Sequence, residues 1–287
     1  MKQVKETISY DCREIVEEKH LGRGVRVAVM DTGICEHPDL TGQIFLFGDF
    51  INRRKVLYDD NGHGTHVAGI LAGDGRLSGG RFAGIAPEAE LLILKVLDSE
   101  GNGSIRNLIM GIQWLLENYK KYDIRIVNIS VGSRKDINKS GADILVKAVE
   151  RLWDAGLVVV ASAGNYGPEK GSIAVPGVSK KIITVGSVEE IWSADYSGRG
   201  PTEECVVKPD VLAPGTHIIS CSGRFDRSGK RPYIAKSGTS MATPIVSGAV
   251  ACLLSKYPDM SNVEVKMRLR ETIGKEKLLN VAKFMSA

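Results

Sequence analysis

The chain has 287 residues, 43% hydrophobic and 25% charged, an ordinary globular balance. Lys+Arg 38 against Asp+Glu 34 leaves a formal net charge of +4, too small and too evenly spread an excess for a nucleic-acid-binding surface. No run approaches the roughly 18 apolar residues of a membrane span, and the opening residues lack the apolar stretch of a signal peptide.

Apolar runs alternate with amphipathic segments from Val25 onward, the pattern of βαβ units around a parallel sheet. Val25–Met30 is predicted as the first strand, ending at Asp31-Thr32-Gly33. Helical spacing of Ile105, Leu108, Ile109, Ile112, Leu115, Leu116 and Tyr119 predicts a helix from Ser104 to Tyr119. A strand at Ile124–Val131 and a helix at Asp143–Ala155 follow. Leu157–Ala161 is apolar throughout, as a strand covered on both faces should be, and Ile182–Val185 reads the same way. A helix from Ala242 to Tyr257 carries Pro244, which suits only its first turns. A last helix begins near Ser261, with Glu264 completing a capping box. The alternation is unbroken by repeat, linker or low-complexity tract, so a single α/β domain is expected.

Cys12, Cys35, Cys205, Cys221 and Cys252 are scattered, odd in number and without a Cys-x-x-Cys pair. They read as reduced thiols of a cytoplasmic protein; the alternative is a secreted chain whose leader and propeptide are absent.

In open α/β sheets ligands gather at the carboxyl ends of strands, and three clusters fall at strand ends or helix starts. Asp31-Thr32-Gly33-Ile34 follows the first strand; it reads either as a plain turn or as a buried carboxylate awaiting a partner. Asp60-Asn61-Gly62-His63-Gly64-Thr65-His66 sets His63 between glycines at a helix start. His63 and His66, at i and i+3, also offer the spacing of a metal pair, the basis of a metal-dependent hydrolase reading. Ser237–Pro244 opens a helix, where Ser240 is either a cap or a nucleophile favoured by the helix dipole. Together the clusters supply an alcohol, an imidazole able to take its proton near neutral pH, and an acid to orient that imidazole.

In these segments the sequence resembles the subtilisin-like serine proteases (subtilases). The likeness also covers His37-Pro38-Asp39-Leu40, Lys95-Val96-Leu97, Ser162-Ala163-Gly164-Asn165 and Pro209–Gly215, in family order. It implies a doubly wound, mostly parallel β-sheet flanked by helices, with residues 25–287 as the peptidase domain and 1–24 as an extension packing on it. Asp31, His63 and Ser240 are then the triad and Asn165 the oxyanion-hole donor, His66 being a structural partner. Substrate is expected as an extended strand between Gly101-Asn102-Gly103 and Ser130-Val131-Gly132. Ala163 and Gly164 help line a first pocket of small, uncharged residues, suited to large apolar or aromatic side chains. Tyr166 stands where some relatives carry an acidic residue. A catalytically silent binding protein on the same scaffold is the alternative reading.

Peptides or proteins are the implied partners, and catalysis calls for no cofactor. The family's calcium-binding loop maps to Gly73–Arg81. It offers one carboxylate, Asp74, beside Arg76 and Arg81, which disfavours structural calcium, although Asp39 matches a family calcium ligand. Met241, next to Ser240, is a candidate for inactivating oxidation, and Cys35 for steric inhibition by thiol reagents.

Overall fold

The computed structural model describes residues 1–132, 139–189, 192–223 and 231–286. Its elements begin with α1 (Lys2–Thr7), α2 (Arg13–Val16), β1 (Arg26–Asp31), β2 (Ile44–Asp49), α3 (His63–Ala72), β3 (Glu90–Lys95), α4 (Ile105–Asn118) and β4 (Ile124–Ile129). There follow α5 (Lys139–Asp154), β5 (Val158–Ser162), β6 (Ile183–Glu189), β7 (Trp192–Ser193), β8 (Val211–Pro214), β9 (Ile218–Cys221) and β10 (Tyr233–Lys236). The chain closes with α6 (Thr239–Lys256), α7 (Asn262–Thr272) and α8 (Val281–Ser286).

The main sheet runs β2-β3-β1-β4-β5-β6-β7, with β8 also paired to β6; β9 and β10 form a separate antiparallel pair. Every pairing in the main sheet is parallel except β6 with β7. Successive strand residues face opposite sides, so the complete burial of Val158–Ser162 means both faces of β5 are covered. α6 packs on β4, β5, β6 and β8 and against α3, while α5 lies on β5 and against α4. This is the single α/β domain that the alternating pattern predicts.

Chain order reverses between β1 and β4: β1 and β3 neighbour each other on one side, and β4 and β5 continue on the other. Such a switch point opens a crevice at the strand carboxyl ends. Asp31 is the last residue of β1 and Ser130 the first after β4, so the topology brings both to that crevice.

Most predicted boundaries shift by a residue or two. The α6 helix starts earlier than predicted, at Thr239, which puts Ser240 inside its first turn. Pro244 still falls early in this helix, where it removes the amide that would bond the Ser240 carbonyl. The capping box at Ser261 and Glu264 forms as predicted.

The N-terminal residues lie on the body of the domain. Met1, Val4, Ile8, Tyr10 and Ile15 are buried in the common core. The Ile8 and Ser9 carbonyls accept from Val281 and Ala282 N–H at 2.7 and 3.2 Å. Lys256, at the far end of α6 from Ser240, reaches Glu14 at 3.3 Å. No helix among the described residues is long and apolar enough to cross a membrane.

Candidate active site

Asp31 is fully buried where β1 meets the crevice, and its Oδ1 accepts the Thr32 N–H at 2.7 Å. His63 is the first residue of α3, entered through Gly62 at φ +89, a left-handed conformation that favours glycine. The next residue is constrained more sharply, because a Cβ on Gly64 would lie 2.2 Å from the Gly33 carbonyl oxygen. Glycine at 64 thus lets the helix start close on the Asp31 turn. At that approach His63 Nδ1–H donates to Asp31 Oδ1 at 2.7 Å, leaving Nε2 as the basic nitrogen.

Asp59 stitches the two segments together. Its carboxylate accepts from Thr32 Oγ1 at 2.8 Å, Gly62 N–H at 2.7 Å, Thr65 N–H at 2.9 Å and Thr65 Oγ1 at 2.6 Å. Burial would raise the Asp59 pKa, but these donors outweigh it and bring it below the ordinary carboxylate value. For His63, burial opposes the imidazolium, yet the charge and hydrogen bond of Asp31 prevail and raise its pKa above the ordinary imidazole value.

Ser240 and His63 line one cleft of about 670 Å³, together with Asn165. The Ser240 hydroxyl, however, is bonded elsewhere: its Oγ donates to the Ser130 carbonyl at 2.7 Å. The structure therefore joins acid to imidazole directly and brings the alcohol to the same cleft in a different hydrogen bond.

Asn165 follows β5, and its Oδ1 accepts both the Thr239 N–H at 2.9 Å and the Thr239 hydroxyl at 3.0 Å. Two donors on one atom identify it as the oxygen and leave the amide Nδ2–H groups for another acceptor. Beside it, a Cβ on Gly238 (φ +148) would come within 3.1 Å of Asn165 Nδ2. Thr239 is thus a site residue that the sequence pattern did not reveal, since its partner lies in a distant segment.

Gly101, Asn102 and Gly103 line the same cleft as Ser130, Val131, Gly132 and Gly164. Ala163 does not: it is buried behind the wall, its N–H bonded to the Val185 carbonyl and its carbonyl to the Ala174 N–H, both at 2.8 Å. Its expected role as a lining residue is corrected accordingly. The apolar part of the cleft comes instead from residues such as Leu97, Leu108, Ile112, Leu145, Val175 and Pro176. Tyr166 lines the cleft and donates to the Gly132 carbonyl at 3.4 Å. Asn61, also unanticipated, lines it while donating to the Ser99 carbonyl at 3.0 Å.

His66 takes no part in this cleft. Fully buried, its Nε2–H is shared between the Ile218 and Ile234 carbonyls at 3.0 Å each, and burial pushes its pKa down to about 3. The nitrogen of His63 that faces inward is committed to Asp31, so the helical spacing of the two histidines does not produce a metal pair. The carboxylates in and beside the loop at 73–81 are already engaged by protein partners. Asp74 is bound to the Arg76 guanidinium at 2.6 Å, and Asp39 accepts from Leu77 N–H at 3.0 Å and Tyr233 OH at 2.6 Å.

Comparison with known proteins identifies the family. The chain is 43% identical over 279 residues to serine protease AprX of Bacillus subtilis (strain 168), covering 89% of this chain and 62% of that protein. Subtilisin DY of Bacillus licheniformis is 35% identical over 266 residues, covering 90% of this chain and 87% of that one. The solved structure of Sphericase superposes with a TM-score of 0.77 at 32% identity, over 88% of this chain and 83% of that chain. The subtilase family profile matches residues 22–284, a span that takes in β1, the His63 helix and the Ser240 helix alike; the chain belongs to the subtilase family.

Proposed function

We propose that the chain is a serine endopeptidase in which Ser240 is the nucleophile, His63 the general base and Asp31 the acid that orients it. The observation that carries this reading is the 2.7 Å bond from His63 Nδ1 to Asp31 Oδ1, beside a cleft shared with Ser240. That bond holds Nε2 unprotonated and stabilises the imidazolium formed when it accepts a proton.

Ser240 must first rotate, because its hydroxyl proton is directed at the Ser130 carbonyl. An extended peptide lying along residues 130–132 brings its own N–H donors to that wall and competes for the same carbonyl. Released, Oγ gives its proton to His63 Nε2 and bonds to the substrate carbonyl carbon. The carbonyl oxygen becomes an oxyanion, for which Asn165 Nδ2–H is held ready by Thr239. His63 then passes the proton to the leaving amine, giving an acyl-enzyme that water hydrolyses by the reverse proton path.

The apolar cleft lining supports cleavage after large apolar or aromatic residues. Residues 25–287 are assigned as the catalytic unit with residues 1–24 packed on it, and peptides or proteins as its partners. Five free cysteines fit the reducing setting of the cytoplasm.

Fluorophosphonate labelling tests the assignment. Wild type should be labelled at one serine, and Ser240→Ala should not be. A folded wild-type chain that stays unlabelled would instead match a silent scaffold with Ser240 kept on Ser130, and label retained in Ser240→Ala would move the nucleophile elsewhere.

A further inference from the structure

Behind the hairpin of β9 and β10, three side chains of different chemistry meet. His37, Asp39 and Cys221 are 1%, 0% and 2% exposed, and one ligand-type atom from each lies within 4.8 Å of the others. His37 Nε2–H donates to the Pro232 carbonyl at 2.8 Å, so Nδ1 carries the lone pair; it accepts the Asp39 N–H at a longer 3.2 Å. Asp39 is held by Tyr233 OH and Leu77 N–H, and among the described residues no basic side chain forms an ion pair with it. The Arg76 guanidinium acts on Asp39 only at longer range, and a buried carboxylate without a direct ion pair is costly.

We infer that His37 Nδ1, the Asp39 carboxylate and Cys221 Sγ form a site for one thiophilic divalent cation of the zinc class. A nitrogen, an oxygen and a sulfur suit zinc and not calcium. On binding, the Cys221 S–H bond breaks and one proton leaves to solvent. The dication then balances one carboxylate and one thiolate, with no change of oxidation state. The metal takes the place of the Asp39 N–H at His37 Nδ1. The Pro232 carbonyl and Tyr233 hydroxyl stay as outer partners that orient His37 and Asp39.

Tetrahedral zinc sets its ligand atoms about 3.3–3.7 Å apart, so three atoms that lie within 4.8 Å of one another draw together around it, and the fourth position falls to water. His37 also lines a surface cleft with Cys35, Glu36 and Pro38.

Cobalt(II) is the probe, titrated into the metal-free full-length chain carrying Ser240→Ala to prevent self-digestion. One equivalent should produce a thiolate-to-cobalt charge-transfer band, which zinc then displaces. The band should persist in Cys35→Ser and vanish in Cys221→Ser, with Cys221→Ala repeating the loss should the serine variant not fold. Zinc should also raise Tm in the parent but not in the Cys221 variants. The inference is overturned by a folded parent that gives no band at stoichiometric cobalt. It is equally overturned by a band that survives loss of Cys221, or by a Tm that responds to calcium and not to zinc.

Discussion

His63 stands between opposed electrostatic effects, and their balance sets a measurable property. Burial disfavours the imidazolium, while Asp31 at 2.7 Å favours it more, so the folded-state pKa lies above the ordinary imidazole value of about 6.5. A base must be unprotonated, and kcat/KM should therefore fall as pH drops, with an inflection above about 6.5. The stabilisation from the same pair runs the other way. It is fully present below the unfolded imidazole pKa and lost as pH rises through the folded one, so acid removes activity while that contribution is retained. Replacing Asp31→Asn should move the inflection down and reduce kcat by about 10⁴-fold, as expected when the orienting acid of such a triad is lost. A pH–rate profile of both proteins checks this; a wild-type inflection at or below the ordinary imidazole value would contradict the arrangement.

At the scale of elements, the site depends on how β1, β3 and the loop before α3 are tied together. Lys95 ends β3 fully buried, and its Nζ donates to the Thr32 and Leu97 carbonyls at 2.6 and 2.9 Å and to Asp60 Oδ1 at 2.6 Å. One cation thus joins the turn after Asp31 to the loop that leads into His63. Lys95→Met would strand two buried carbonyls and leave Asp60 partly solvated, a loss on the order of 3 kcal/mol. Because the two segments it joins carry the acid and the base, kcat should fall more than KM rises. Urea denaturation alongside steady-state kinetics separates the effects, and full activity in a destabilised chain would reduce Lys95 to a purely structural role. This tie was not legible in the sequence, because Lys95 finds its partners Thr32 and Asp60 in segments remote along the chain. Asp31, His63 and Ser240 stood out as candidates because their three local clusters, each ambiguous alone, match the subtilase pattern when taken together. Thr239 did not, since its hydrogen bonds run to Asn165, remote along the chain. The short pair β9 and β10 escaped notice for a related reason. Its buried face is defined by His66, whose Nε2–H is shared between the Ile218 and Ile234 carbonyls, and not by alternation within either strand.

Across the whole molecule, α6 connects two regions with separate tasks. Ser240 lies in its first turn and Lys256 at its end, about 24 Å apart at the helical rise. The N-terminal residues gather at the Lys256 end: Ile8 is fully buried, Tyr10 OH bonds the Ile85 carbonyl, and Glu14 pairs with Lys256. Packing there can stabilise the domain without touching the cleft, which separates an extension that supports the fold from one that obstructs the site. Ile8→Ala removes buried methyl and methylene groups from a core position and should cost about 2–5 kcal/mol, according to how far the cavity collapses. Measured where both proteins are folded, kcat/KM should match wild type, because the segment holding Ile8 is tied to Val281 and, through Glu14, to the Lys256 end of α6. The Tm should fall, and the urea midpoint with it, at an unchanged denaturant slope. An Ile8→Ala chain that became more active per folded molecule would mean that these residues restrain the cleft, and the division of α6 into a reactive end and a supporting end would have to be abandoned.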